Sequence, residues 1–454
     1  MPDGATMDAP FVPPMPVPRE SLPGPLGMLR IMRRNLLELF LARTYSSNAI
    51  AQRMLGHRII VVNHPELVRE IFVLKHETYQ RKSRFMEQAL RPVVGDSLFI
   101  NHGTVWAERR EPIAAALHPS GVGAFHPLFA QAAEELAREW ERAEAVRDIA
   151  FDLSAATARV VMLATFGPDA PAGAAAALAR DFAAYQDAVE SLDYLAMLGL
   201  PEWVPSVQRR TALAAARRMR ALAAGLMEAG RPGPLLSAMR KAARPDGQPL
   251  MRREALLNEV CMLLLAGSET SANALGWALY LAFAHPPTLK RLRAEVEAVL
   301  GARTSPAAED LPALPFTRAV VQEALRLYPP VAVLSRQATA PDLIRRWAVK
   351  PGMTVAAIPW LLHRHEALWE APHEFRPERF MPDAPKPPRF GYIPFGIGPR
   401  VCAGAAFGQA EMTVFLATLV RRVGMRVAPG HVVMPRLRLT LRAAGGMRMV
   451  VRGA

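Results

Sequence analysis

A chain of 454 residues that is 51% hydrophobic and 21% charged is too apolar to be disordered and long enough to bury a large core. Its net charge of +14, from 55 basic and 41 acidic side chains, suits an acidic partner, nucleic acid or an anionic membrane surface, or serves solubility alone. Two cysteines, Cys261 and Cys402, stand in neither CxxC nor zinc spacing, which argues against a disulfide scaffold and fits a reducing cytoplasm.

Residues 1–25 hold eight prolines and no signal-peptide pattern, which predicts an extended strap over the surface. "RIIVV" (58–62) predicts a strand, and "NHPELVREIF" after it a helix capped by Asn63 with Pro65 in its first turn. Ala-rich helical patterns cover 129–146, 152–166, 172–192 and 207–229. A polar stretch, 231–250, separates them from a long apolar helix over 252–285 that Pro286 and Pro287 end. Its uncharged part, 270–289, contains Ser271, Asn273, His285 and both prolines, so it reads as a buried helix and no membrane association is expected. Short helices follow at 288–300 and 316–327, then proline-rich coil with short strands from Tyr328. A helical run covers 405–420, and in "RLRLTLRAAGGMRMVVR" (436–452) Leu437, Leu439 and Leu441 alternate before a turn at Gly445 and Gly446, a hairpin pattern. With no repeat and no long linker, the expectation is one mostly α domain over 1–454 with small β-sheets.

"FGIGPRVCAG" (395–404) holds Cys402 among Gly396, Gly398, Gly404 and a proline, at the mouth of the 405–420 helix. Glycines let amide N–H groups approach the sulfur, the helix N-terminus favours a thiolate, and Arg400 adds a cation. The competing reading is an inert buried cysteine in a glycine turn. The pattern Phe395, Gly398, Arg400, Cys402, Gly404 resembles the haem-binding loop of the cytochrome P-450 superfamily, whose haem is ligated by a cysteine thiolate.

Other motifs follow that family's order. "AGSET" (266–270) sits inside the apolar helix; Gly267 is either a packing glycine or widens a groove. The resemblance implies that Thr270 hydrogen-bonds dioxygen and Glu269 relays protons. "EALR" places Glu323 one helical turn from Arg326, and "PERF" supplies Arg379; in the family such residues form a buried ionic knot beneath the cysteine loop. Trp106 and Arg110 in "WAERR", Arg336 and Arg400 match positions that bind haem propionates, with His102 either a further candidate or a surface histidine. Phe395, Gly396, Gly404 and Ala266 are expected against the macrocycle. "HRH" (363–365) has His-x-His spacing without a third ligand.

The resemblance implies a P-450 fold, haem b held by Cys402, and a monomeric, cytoplasmic monooxygenase fed by an acidic ferredoxin and its reductase. Lys386, Arg389, Arg421 and Arg422 are candidates for the docking patch. Segments expected to line the pocket supply Leu98, Phe99, Leu265, Ala266, Val331, Val333, Leu334 and Met447. They carry no charge, which suits a terpenoid, steroid, alkane or aromatic; a fatty acid would need Arg84 or Arg91 to turn inward. Two alternatives stand beside this: a peroxide-using relative, which commonly lacks the acid–alcohol pair, and a haem sensor or carrier without turnover. Basic runs such as Arg217 and Arg218 lack interleaved aromatics, so no nucleic-acid partner is expected.

Overall fold

The architecture is organised around one helix, Arg253–Ala284. It is apolar nearly all round, and such a helix must be enclosed by other elements. In this computed structural model, which describes residues 10–54, 57–197 and 207–454, the helices Arg84–Val94, Ile149–Phe166, Val207–Glu228, Pro315–Leu327 and Ala405–Arg422 pack against it. The closest neighbour is Ile149–Phe166, whose length and hydropathy would suit a membrane span but whose apolar surface is largely buried here. Gly267 makes that approach possible: a Cβ there would lie 2.7 Å from Val161 Cγ2. Thr157 Oγ1 seals the crossing by donating to Ser268 O at 2.8 Å. Gly267 is therefore a packing glycine.

The fold is mostly α with small sheets. The largest sheet orders Ala49–Met54, His57–Val62, Thr354–Ala357, Leu334–Gln337 and Arg81–Lys82 side by side. The pairing of His57–Val62 with Thr354–Ala357 is parallel and the rest antiparallel. The first nine residues of the expected strap lie outside the described residues; residues 10–18 form no helix or strand, and Phe11 O accepts from Phe375 N and Pro14 O from the Tyr328 hydroxyl.

Several local expectations change. The helix after the first hairpin is Pro65–Arg69, capped by the His64 ring, which accepts from Glu66 N. Asn63 is instead buried, donating to Thr44 O and Ser47 O at 3.1 and 3.2 Å. Pro286 begins the helix Pro286–Leu300 rather than merely ending the one before it, because a proline at the first helical position loses no hydrogen bond. Helices at Pro25–Arg34, Arg84–Val94 and Pro234–Lys241 fall where no helix was read.

The C-terminal pattern also divides differently. Pro435–Leu437 pairs with Leu441–Ala443, Leu437 facing Leu441, so the tight turn falls at 438–440. Arg448–Gly453 joins another sheet, between Ala145–Asp148 and Val423–Val427. Gly446, at φ +82°, passes so close to Asp148 that a Cβ would stand 2.3 Å from its Oδ2. Asp148 caps the helix Ile149–Phe166 and also accepts from Met447 N at 2.9 Å. That anchor sends Met447 into the core beside Gly276 and Leu153 rather than toward the pocket.

Candidate active site

The cysteine loop owes its path to two glycines in left-handed conformations, Gly396 (φ +75°) and Gly398 (φ +72°). At Gly398 no other residue fits, since a Cβ would lie 2.1 Å from Phe72 O. Cys402 N donates to Phe395 O at 2.8 Å, closing the loop, and the Gly404 N–H bonds the sulfur. The helix Ala405–Arg422 leaves directly afterwards.

Cys402 is accessible only because it borders a cavity of about 340 Å³. Loss of water around it raises the thiol above its ordinary value, outweighing the Gly404 N–H and the Arg110 and Lys82 charges. The sequence assigns that electrostatic help to Arg400. Arg400 instead donates to Asn101 O at 2.6 Å and lies over the Trp106 ring.

Beneath the loop sits the ionic knot. Glu323 and Arg326 are wholly buried and joined by two bonds of 2.7 Å. Arg379 approaches Glu323 at 3.4 Å, and Arg376 N donates to it at 2.9 Å. Arg326 also donates to the carbonyls of His363, Pro372 and Glu374. Through His363 the knot reaches the cysteine loop: its Nε2 accepts from Ile393 N at 2.9 Å, and Ile393 O accepts from Gly396 N. Burial and the nearby guanidinium charges push His363 down to about 3, which keeps the ring neutral and able to accept. The sequence shows this residue only as part of "HRH".

The cavity brings most of the predicted residues together: Trp106, Arg110, Arg336, Phe395, Gly396, Arg400, Cys402 and Gly404 with Ala266, Glu269 and Thr270. Leu98, Phe99, Leu265, Val331, Val333 and Leu334 line it too. Two predicted residues do not. Met447 is in the core, and exposed His102 precedes the helix Gly103–Ala116 without bonding its amides. Leu439 and Thr440, from the turn at 438–440, border the cavity where Met447 was expected.

One end of the cavity is cationic. Lys82 faces Arg336 across an antiparallel strand pair, an arrangement that like charges disfavour. Among the described residues no carboxylate pairs with Lys82, Arg110, Arg336 or Arg400, which bond at most backbone carbonyls, whereas Arg326, Arg379 and Arg109 each meet a glutamate. Burial pushes Arg336 down to about 10 and Arg400 to about 9, and depresses Lys82 strongly. Buried cations without counter-ions call for an anionic ligand. An apolar cavity holding a thiol beside four such cations fits a flat, largely apolar metal macrocycle with acidic side arms. Lys82 escaped the sequence reading because its two-residue strand has no periodicity to reveal it.

Among the polar groups at the central helix, Thr270 Oγ1 donates to Ala266 O at 2.8 Å. Glu269 Oε1 accepts from Asn273 Nδ2 at 3.0 Å, Gln186 Nε2 at 3.3 Å and Thr440 Oγ1 at 3.4 Å. Glu259 fixes the loop that carries Leu98, accepting from Leu98 N with both oxygens at 2.9 Å and from Arg109 at 3.1 Å.

Residues 34–444 match the family model for cytochrome P-450. The chain is 31% identical over 436 residues to cyclooctatin synthase of Streptomyces melanosporofaciens, covering 93% of both chains. It is 28% identical over 411 residues to cyclooctat-9-en-7-ol 5-monooxygenase of the same organism, covering 89% and 88%. The fold matches the cytochrome P450DA heme domain with a TM-score of 0.83 at 22% identity, covering 97% and 98% of the chains.

Proposed function

The chain belongs to the cytochrome P-450 family and is a P-450 monooxygenase, and from that premise we propose that it holds haem b through Cys402 and hydroxylates a neutral, carbocyclic hydrophobic molecule. The observation that carries the reading is the thiol and the carboxylate-free cations bordering one cavity. Bound through a thiolate, haem supplies the redox chemistry by which one atom of dioxygen enters the substrate and the other leaves as water, consuming two electrons and two protons.

The residues divide that work. Cys402 would hold the haem iron as a thiolate, since a metal overrides the desolvation that otherwise raises the thiol. Arg110, Arg336, Arg400 and Lys82 would hold the two propionates by charge-assisted hydrogen bonds. Thr270 can release Ala266 O and turn its hydroxyl to a ligand in the cavity, while Glu269 beside it relays protons to that ligand. Aliphatic walls exclude bulk water and position the substrate through shape.

Two relatives carry cyclooctane-skeleton names, which favours a terpenoid-like carbocycle among hydrophobic substrates. Arg91 is engaged with Glu87 and Asp96, and Arg84 is exposed away from the cavity, so neither supports a fatty-acid reading. The acid–alcohol pair at the cavity wall favours dioxygen over peroxide as oxidant. Electrons come, in this reading, from a separate acidic ferredoxin and its reductase, and the enzyme works as a cytoplasmic monomer.

The test is the reduced carbon-monoxide spectrum together with NADH-dependent oxidation of carbocyclic alcohols using surrogate redox proteins. A band near ~450 nm, the signature of thiolate-ligated haem, is expected in the wild type and lost in Cys402→Ser. Its persistence in that variant would shift the assignment to Cys261, which is buried and pushed up to about 11. Haem binding without NADH-dependent product would favour the carrier reading.

A further inference from the structure

Glu269 is held asymmetrically. All three of its hydrogen bonds from Asn273, Gln186 and Thr440 converge on Oε1, and among the described residues none reaches Oε2. Oε1 is therefore committed to the protein, and Oε2 is the oxygen free of protein partners on a side chain that borders the cavity.

What sets this asymmetry is the orientation of the Gln186 amide. Gln186 is buried, and its Nε2 donates to both Glu269 Oε1 (3.3 Å) and Thr440 Oγ1 (3.2 Å). Its Oε1 accepts from Arg442 Nη1 at 3.3 Å, and Arg442 Nη2 donates to Asp187 Oδ1 at 2.7 Å. A flipped amide would set its oxygen against the Glu269 carboxylate and its nitrogen against the guanidinium. Only one orientation is free of such conflicts, and Arg442 enforces it.

We propose that Gln186, oriented by Arg442, is a positioning residue that fixes Glu269 so that Oε2 is the oxygen left free to relay a proton at the cavity. The proposal rests on the monooxygenase reading above. Its parts come from three separate elements: the helix Ala172–Met197, the central helix, and the strand Leu441–Ala443 with the turn before it.

The experiment compares Gln186→Met, Arg442→Met and the double variant. Product formed and peroxide released per NADH are measured with the solvent deuterium isotope effect, alongside substrate affinity and the carbon-monoxide spectrum. Gln186→Met should lower coupling roughly tenfold, the effect of losing one hydrogen bond, and raise the isotope effect. Arg442→Met should lower it about threefold through the loosened amide, and the double variant should be no worse than Gln186→Met, as residues in one chain of contacts are non-additive. Substrate affinity and spectrum should stay near wild type. Wild-type coupling in Gln186→Met, or additive losses in the double variant, would overturn the proposal. Should Gln186→Met fail to take up haem, Arg442→Met decides alone: unchanged coupling there overturns it. A wild-type protein lacking the ~450 nm band would instead overturn the haem-thiolate reading itself.

Discussion

Glu323 and Glu269 are both buried carboxylates, yet they are built for opposite ends. Glu323 is wholly enclosed and gives both oxygens to the Arg326 guanidinium at 2.7 Å, with Arg376 N and Arg379 closing the set. Among the described residues Glu269 meets no cation, only neutral donors at 3.0–3.4 Å on one oxygen. A fully satisfied network rigidifies its surroundings. A half-satisfied carboxyl at a cavity wall has an oxygen left to meet a ligand. The first supports the cysteine loop through His363; the second serves the chemistry above it.

The largest effect should come from breaking the satisfied pair. Arg326→Ala strips Glu323 of its bidentate partner and leaves it buried with only Arg379, at 3.4 Å, costing ~3–5 kcal/mol, a large part of a typical domain's stability. Denaturant melts and haem content should fall together. Glu269→Gln should leave both near wild type while lowering product formation by ~10²–10⁴, the range for a lost general acid. If both variants lost haem to the same degree, the distinction between the two carboxylates would collapse. Thr270→Ala sharpens it: substrate affinity should hold while product per NADH falls and peroxide rises, because the hydroxyl's work is done after binding. Unchanged coupling would reduce Thr270 to a packing residue.

The satisfied pair was legible in the sequence and the hold on Glu269 was not. Glu323 and Arg326 lie one helical turn apart, and the loop around Cys402 is a contiguous string of glycines whose steric need is local. Gln186, Thr440 and Arg442 meet Glu269 only after a helix and a hairpin far apart in sequence close over the central helix, and no spacing encodes that. Lys82 was hidden in the same way, and Met447 was misplaced because the close pass of Gly446 over Asp148 is a tertiary fact. The leucine alternation at 437–441 looked like one strand, but a turn at 438–440 interrupts it.

A third buried carboxyl extends the series. Glu411, on the helix after the cysteine loop, has no cation and no well-formed hydrogen bond among the described residues, and the Ser271 hydroxyl beside it does not offset its loss of water. Burial pushes it up to about 8, so the folded protein keeps its proton where the unfolded chain has lost it. Stability then falls as pH rises from the unfolded value toward 8. Glu259, pushed up to about 7, acts in the same direction. His363, pushed down to about 3, opposes both below ~6.5, where the unfolded imidazole gains a proton that the folded ring refuses. Above ~6.5 that opposition ends. Melting curves should show a loss of about 2 kcal/mol from Glu411 between roughly pH 6.5 and 8. Glu411→Gln should flatten most of that slope; an unchanged slope would mean that the carboxyl is ionised in the folded protein.

The smallest effect separates engaged from available charge at the surface. Arg421 and Arg422 follow the cysteine loop and looked like docking residues. However, Arg421 pairs with Glu297 and donates to the carbonyls of Gly301 and Arg303, and Arg422 pairs with Glu141. Exposed Lys386 and Arg389 have no carboxylate partner among the described residues, so they remain to meet an acidic electron donor. Reversing an exposed charge at a docking site acts on association rather than on the bound state. Lys386→Glu or Arg389→Glu should therefore slow the first electron transfer from an acidic ferredoxin a few-fold at low salt, leaving substrate affinity unchanged. Arg217→Glu, on the exposed face of the helix Val207–Glu228, changes the net charge equally and is the control. The difference between patch and control should shrink between roughly 0.05 and 0.5 M salt, as the screening length shortens about threefold. Equal slowing by all three reversals would make the net charge, not a local patch, the source of attraction.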